Sequence, residues 1–495
     1  MNYFRSSGLR FEFPWRLITT VDRVKSGSEG LDEVVEGGFP KGSLILLAGE
    51  PGTGKTAFSM SFLVKGAELG EPGVYVGFAE PRNLLVKNIS RHLGVDLERL
   101  EAENKLRILD YTALKGEGFS TLLGSIIGEV EASNAGRLVV DSFTALAQAL
   151  EKPIDVRIVL QTILGRIVRE MGVTAILIEE IPTGRAEIGL GVEEFAADGL
   201  IRFRSTGLEG RPFRELEIHK LRGTRLRERR LVFSLEGGFK AFPPFRPEPV
   251  GEPKRFQPIK DPLDKYSTGS MDLDEILGGG FSRGDAVLLE IAEKVSMVEY
   301  HLIAVPAILN FVMHGRAVIL IPTVGVDAEK ARQIGLRYGL KDDEINRLLR
   351  VCEARGLEDR GDRPYVALFD AKDPWEDYSK YIRLEEELMR ETGQPVMHVA
   401  GLDALASFYG ESTCGKILGQ DAIRIREHGA LGIILLKPGY ERLARRLASI
   451  ATVHLKLLRE HGCLLLYGVK PRTILYGVEV DVSRGYPMPR LTPIT

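Results

Sequence analysis

Cysteine is scarce: the 495 residues contain three, Cys352, Cys414 and Cys463, far apart and without the paired spacing of a zinc site or a disulfide framework. That usage fits a reducing compartment, so a cytoplasmic protein is expected. The eight histidines are scattered and show no metal-ligand spacing. Long apolar runs are missing as well. The opening MNYFRSSGLRFEFPWR holds no continuous apolar stretch, so no signal peptide is expected. Tyr300 to Val312 is too short to span a bilayer and contains His301, which predicts a buried helix and no membrane partner. Nor does one sign of charge dominate: a net charge of −3 supplies no global basic field to attract nucleic acid. The one local basic stripe, RGTRLRERR at 222–230, is explained equally well as a solvated strand or turn.

What is present is the composition of a globular protein, 44% hydrophobic and 27% charged. Length alone suggests about three domains, but an internal repeat argues for two. GSEGLDEVVEGGFPKG at 27–42 returns as GSMDLDEILGGGFSRG at 269–284, without a gap, at an offset of 242 residues. Between the copies, residues 242–262 carry seven prolines, which remove amide donors and forbid a persistent helix or central strand. The expected plan is an N-terminal arm (1–20), a first domain (21–241), a stiff linker (242–262) and a second domain (263–495). Short apolar strands such as Ser43–Ala48 and Gly136–Asp141 alternate with helical patterns such as Val156–Glu170. That alternation predicts two tandem α/β domains, each a mostly parallel sheet with helices on both faces.

The first domain carries Gly49-Glu50-Pro51-Gly52-Thr53-Gly54-Lys55-Thr56-Ala57 between an apolar strand and a helical pattern, the context that gives a G-x-x-x-x-G-K-[ST] match its meaning. Its glycines would turn backbone amides toward phosphates, and the helix N-terminus would add positive potential. Lys55 would neutralise β- and γ-phosphate oxygens, and the Thr56 hydroxyl would ligate Mg²⁺. The ligand expected is therefore ATP with Mg²⁺. A second strand ends at Asp141, where a metal-organising carboxylate belongs. After the strand Gly73–Phe78, Glu80 is positioned to polarise an attacking water, or else it caps the following helix. Glu179 and Glu180, after another strand, are its rivals.

The wording and order of SGSEGLDEVVEGGFPKGSLILLAGEPGTGKT, VVDSFTAL, GVEEFAADGLIRF (191–203) and EIHKLRGT (217–224) resemble the KaiC branch of the RecA-type ATPases. The resemblance implies a RecA-like fold and a homo-oligomer, a hexameric ring with ATP between neighbouring subunits. It also implies that Lys220 and Arg222 of KLRGT reach the neighbour's γ-phosphate; the plain alternative is an exposed strand pair. Where the family usually has two adjacent acids after the third strand, this chain has Ala79-Glu80, so slow hydrolysis is expected.

The second half has lost this equipment. At the offset of 242 the second loop would be Ile291-Ala-Glu-Lys-Val-Ser-Met-Val298, with Met297 for Lys55, Val298 for Thr56 and no glycine. Ala400 stands where Asp141 would be, Asp403 matches Thr144, and the strand Ala317–Ile321 is followed by no carboxylate. Lys470-Pro471-Arg472-Thr473 keeps the outline of the KLRGT segment and is expected to hold an interface or a salt bridge. The charged stretch Asp342–Asp362 reads as helical, either a surface for an unknown protein partner or a solvated helix pair. The phosphoacceptor Ser-Thr pair of clock-type KaiC is not recognisable, so autokinase function is not transferred. An ATPase is the first expectation and an ATP-binding switch without turnover the second. A recombinase-like DNA-binding filament is the third. In the arm, Leu9–Trp15 alternates as an added strand would, or packs on its own domain.

Overall fold

The computed structural model describes residues 21–112, 119–149, 153–184, 196–355 and 363–495. The N-terminal arm and residues 191–195 of the GVEEFAADG segment lie outside the described residues. The chain divides into two compact units, the first holding residues up to Phe203 with Glu217–Arg229, the second Arg204–Leu216 with Arg230–Thr495.

In the first unit, β1 (Arg23–Val24) and β2 (Phe39–Pro40) form a small ribbon ahead of β3 (Leu44–Gly49). Parallel neighbours on both sides demand a strand that is apolar throughout, and β3, LILLAG, is buried at all six positions. There follow β4 (Gly73–Gly77), β5 (Leu106–Asp110), β6 (Arg137–Asp141), β7 (Thr174–Glu180), β8 (Gly199–Leu208), β9 (Arg211–Leu221), β10 (Arg230–Ser234) and β11 (Lys240–Phe242), the last two belonging to the second unit, in the spatial order β11-β10-β9-β8-β3-β7-β6-β4-β5. The β8–β9 hairpin crosses the unit boundary. Leu122, Ile126 and Val130 of the helix Phe119–Ala132 pack with Ile163 and Ile167 on one face of the sheet, over Leu46, Val74, Val140 and Leu177. The expected helix Val156–Glu170 is a helix over Pro153–Thr162 that continues as a π-helix over Ile163–Glu170.

The second unit repeats the opening in register. Its strands β12 (Lys265–Tyr266), β13 (Phe281–Ser282) and β14 (Ala286–Ile291) stand at the same offset of 242 as β1, β2 and β3. The repeated motif is structural. A Cβ on Gly27 would lie 2.5 Å from the Ser61 carbonyl oxygen, and one on Gly269 would lie 2.3 Å from that of Pro306, so each copy needs glycine where the chain crosses the next helix. Asp32 accepts from the Ser26 amide, and its counterpart Asp274 from the Thr268 amide. The larger sheet adds β15 (Val318–Ile321), β16 (Leu349–Ala354), β17 (Val366–Phe369), β18 (Met397–Gly401), β19 (Leu431–Leu436), β20 (Val453–Glu460), β21 (Cys463–Lys470), β22 (Tyr476–Asp481) and β23 (Met488–Pro493). Its order is β17-β16-β15-β18-β19-β14-β20-β21-β22-β23, parallel as far as β20 and antiparallel beyond. The apolar run at Tyr300 is the buried helix Met297–Met313. No helix among the described residues is long and apolar enough to cross a membrane.

Two expectations change here. The charged stretch from Asp342 is helical only to Leu348; Leu349–Ala354 is β16, because Leu349 and Val351 alternate with more exposed residues and pair between β15 and β17. Residues 356–362 lie outside the described residues. Past Phe242, the last residue of β11, the proline-rich segment forms neither helix nor strand, as its composition requires, yet it makes specific contacts. Its amides at Phe245, Lys254 and Phe256 donate to the carbonyls of Gly462, Gly485 and Tyr338, and Ile259 donates to the Asn310 side chain. Phe256 is buried against Tyr338 and Tyr486, so the segment is a strap on the second unit.

Candidate functional site

β3 delivers the chain at Gly49 to the carboxyl edge of the first sheet, and the helix Lys55–Glu68 leaves from it. In the loop between them Gly52 (φ +78°) and Gly54 (φ +97°) adopt left-handed conformations that other residues resist. A Cβ at Gly49 would press within 2.7 Å of the Phe203 carbonyl oxygen. Thr53 closes the turn by donating to the Glu50 carbonyl at 2.8 Å.

Lys55 is buried and points back under the loop, donating to the carbonyls of Gly49 (2.9 Å) and Glu50 (2.8 Å) and pairing with Glu180 at 2.9 Å. Thr56, one residue on, donates its hydroxyl to Asp141 Oδ2 at 2.7 Å, and Tyr75 donates to the same oxygen at 2.7 Å. Burial pushes the Asp141 carboxyl above its usual range, while the two hydroxyls and Lys55 pull the other way. Burial, reinforced by Asp141, also holds the Tyr75 hydroxyl protonated. A hydroxyl and a carboxylate oxygen beside an amide-lined turn are the hard donors that suit Mg²⁺, which takes one or two protein oxygens and leaves its other positions to water and phosphate. Among the described residues no cluster of three or more His, Cys, Asp or Glu offers a closed metal cage instead.

Glu80 follows β4 and accepts from Asn88 at 3.1 Å, with its neighbour Ala79 exposed. Arg222 lies just past β9, largely exposed, and reaches Asp198 of its own chain at 3.4 Å. Lys220 is half-buried near the end of β9. The rest of the arginine stripe, Arg225, Arg227, Arg229 and Arg230, is exposed. Sequence reasoning missed Tyr75 and the Lys55–Glu180 pair. Tyr75 stands inside an apolar strand with no polar neighbour to signal it, whereas Glu180 was visible as one of two acids ending β7. Thr144, whose hydroxyl accepts the Glu180 amide at 2.8 Å, carried no sign in the sequence of a role in the first unit.

The family model "ATPase: KaiC" matches residues 24–239, and "GvpD basic region 2" matches 255–328. The circadian clock oscillator protein KaiC of Synechococcus elongatus is 34% identical over 54% of this chain, and the match spans 52%, about half, of that protein. A UPF0273 protein of Methanopyrus kandleri is 35% identical over 43% of this chain and 89% of its own. The chain belongs to the KaiC-like family of ATPases. Protein GvpD2 of Halobacterium salinarum is 27% identical over 91% of this KaiC-like chain and 93% of its own length, across both units. A solved KaiC-like protein of Pyrococcus horikoshii is 40% identical, covering 45% of this chain and 100% of its own, at a TM-score of 0.41. The α/β architecture of two mostly parallel, RecA-like sheets agrees with the expectation.

The second unit of this KaiC-like chain builds the corresponding turn differently. β14 ends at Ile291 and the next helix begins at Met297, in register with Lys55, but no residue from 291 to 297 has positive φ. Ser296 opens the helix with its amide bonded to the Glu299 carboxylate at 2.6 Å. Val298, at the place of Thr56, is exposed. Asp403 pairs with Lys437 at 2.8 Å. Lys470 and Arg472 form neither the expected salt bridge nor any ion pair among the described residues: Lys470 donates to the Ala448 carbonyl at 2.7 Å and Arg472 to that of Gly210 at 2.8 Å.

Proposed function

We propose that the first unit binds one Mg-ATP per chain and hydrolyses it slowly at contacts between subunits of a cytoplasmic homo-oligomeric ring, six-membered by the family's pattern. The second unit serves assembly or the docking of a protein partner. The observation that carries this is the meeting of Thr56 and Asp141 at 2.7 Å beside a turn whose glycines take left-handed conformations. On this reading the backbone amides of the 49–57 turn, Pro51 excepted, cradle the phosphates, and Thr56 with Asp141 holds the metal. Bound Mg²⁺ supplies charge neutralisation on the phosphate oxygens. Lys55 exchanges Glu180 for the β- and γ-phosphates, which frees that carboxylate. Glu80 orients the attacking water, and Lys220 and Arg222 contact the γ-phosphate of the neighbouring subunit. An arginine in that role is worth a factor of roughly 10³ to 10⁵ in rate.

A second reading, an ATP-dependent switch without turnover, is favoured by one feature: an exposed methyl, Ala79, where an acid is usual. Phosphate release by the wild type and by Lys55→Ala separates the two. Turnover lost in the variant supports hydrolysis at this site, equal release in both overturns it, and binding without release in the wild type selects the switch.

A further inference from the structure

Outside the nucleotide site, the second unit holds a cavity of about 80 Å³ at the carboxyl edge of β15, β16, β17 and β18. Ligands of open α/β sheets gather at that edge. Its walls are apolar and aromatic, chiefly Ile321, Tyr378, Tyr381, Leu405, Phe408 and Tyr409. Phe408 and Tyr409 stand just before Gly410, whose φ of +74° breaks the helix Leu402–Glu427 at the mouth, and Phe408 is half exposed.

The carboxylates that also line the cavity are already engaged. Asp421 faces His398 at 3.2 Å, Asp377 accepts the Ala371 amide at 2.8 Å and the Tyr409 hydroxyl at 2.9 Å, and Glu353 accepts the Ala328 amide at 2.7 Å. Tyr378 differs from them: it is only 8% exposed, and its buried hydroxyl has no hydrogen-bond partner among the described residues. A buried hydroxyl without a partner costs about 1–3 kcal/mol, which a ligand atom that accepts its proton would recover.

We propose that this cavity binds a small, neutral, mainly apolar organic molecule that presents a single hydrogen-bond acceptor, such as a carbonyl oxygen, to the Tyr378 hydroxyl. A cation is disfavoured because every lining carboxylate has its partner, and an anion because three carboxylates surround the space. The site stands two or more strands away from β14, on the half of the protein that has no phosphate loop, and so requires neither ATP nor turnover.

The test uses the full chain and ligand-observed fluorine NMR with 4-fluoroacetophenone and its hydrocarbon counterpart 4-fluoroethylbenzene. Wild type should bind the ketone saturably. Tyr378→Phe, which keeps the ring, should weaken the ketone about fivefold, one neutral hydrogen bond, and leave the hydrocarbon unchanged. Leu405→Trp, which fills the cavity, should remove both. Absence of saturable ketone binding to the wild type overturns the proposal, as does ketone affinity undiminished in Tyr378→Phe. Because Tyr378→Phe is nearly isosteric, its comparison with the wild type decides the matter even where Leu405→Trp fails to fold.

Discussion

At Asp141 two demands conflict. On the proposed reading the carboxylate must be ionised to hold a cation, yet it sits in a place where burial disfavours the charge and Thr56, Tyr75 and the nearby Lys55 soften the cost. Replacing it by asparagine keeps the shape and removes the charge. Asp141→Asn should therefore raise the thermal unfolding midpoint of the nucleotide-free protein by roughly 2 °C, a shift of the size a modest stability gain produces. The same variant should lose the stabilisation that Mg-ATP gives the wild type and drop turnover by at least about 100-fold. Calorimetry with and without Mg-ATP, together with phosphate release, checks both halves. A midpoint that falls in the nucleotide-free variant would mean that the two hydroxyls need a charged acceptor more than the site resists one.

Between strand and helix, the two turns at 49–55 and 291–297 differ in backbone before they differ in side chain. Restoring only the cation, Met297→Lys, leaves φ negative throughout, so titration calorimetry should still find one ATP per chain. A second equivalent would show that the lysine, and not the glycine conformations, is what this turn lacks. Elsewhere in the second unit, β18 carries His398 into contact with Asp421 at 3.2 Å and Glu385 at 3.4 Å. Burial opposes its charge, but the two carboxylates prevail and raise its pKa to about 10. Because that value lies above the unfolded one, the contribution to stability is complete below about 6.5 and is lost as pH rises through about 10. Unfolding midpoints measured across that window should fall more steeply for wild type than for His398→Gln. None of this was visible in eight scattered histidines, since a carboxylate contact across 23 residues leaves no local spacing. Elements whose signal is local, β3, the glycine turn and the repeat, were legible in the sequence. The fate of Asp342–Asp362 was not, because Leu349–Ala354 becomes a strand only through its neighbours, β15 and β17. The contacts of the proline-rich segment were hidden for the same reason: proline forbids regular structure but does not forbid docking.

If the chain assembles as proposed, the trans roles proposed for Lys220 and Arg222 make a prediction that no single chain can satisfy. Lys55→Ala and Arg222→Ala, each inactive alone, should regain part of the wild-type turnover when mixed and allowed to exchange subunits, since some junctions then pair an intact loop with an intact arginine. No recovery, in a mixture shown by mass to have exchanged, would confine both residues to one subunit's own site. The β8–β9 hairpin adds a constraint of another kind. Phe213 of β9, Val232 of β10 and Phe242 of β11 are buried with Cys463, Leu465, Tyr467 and Ile494 in a cluster of the second unit. A chain cut at the prolines would carry that apolar patch away bare, so in this protein the first half does not end cleanly at the prolines. A designer who exchanges the second half must also refit the apolar face of the outer strands.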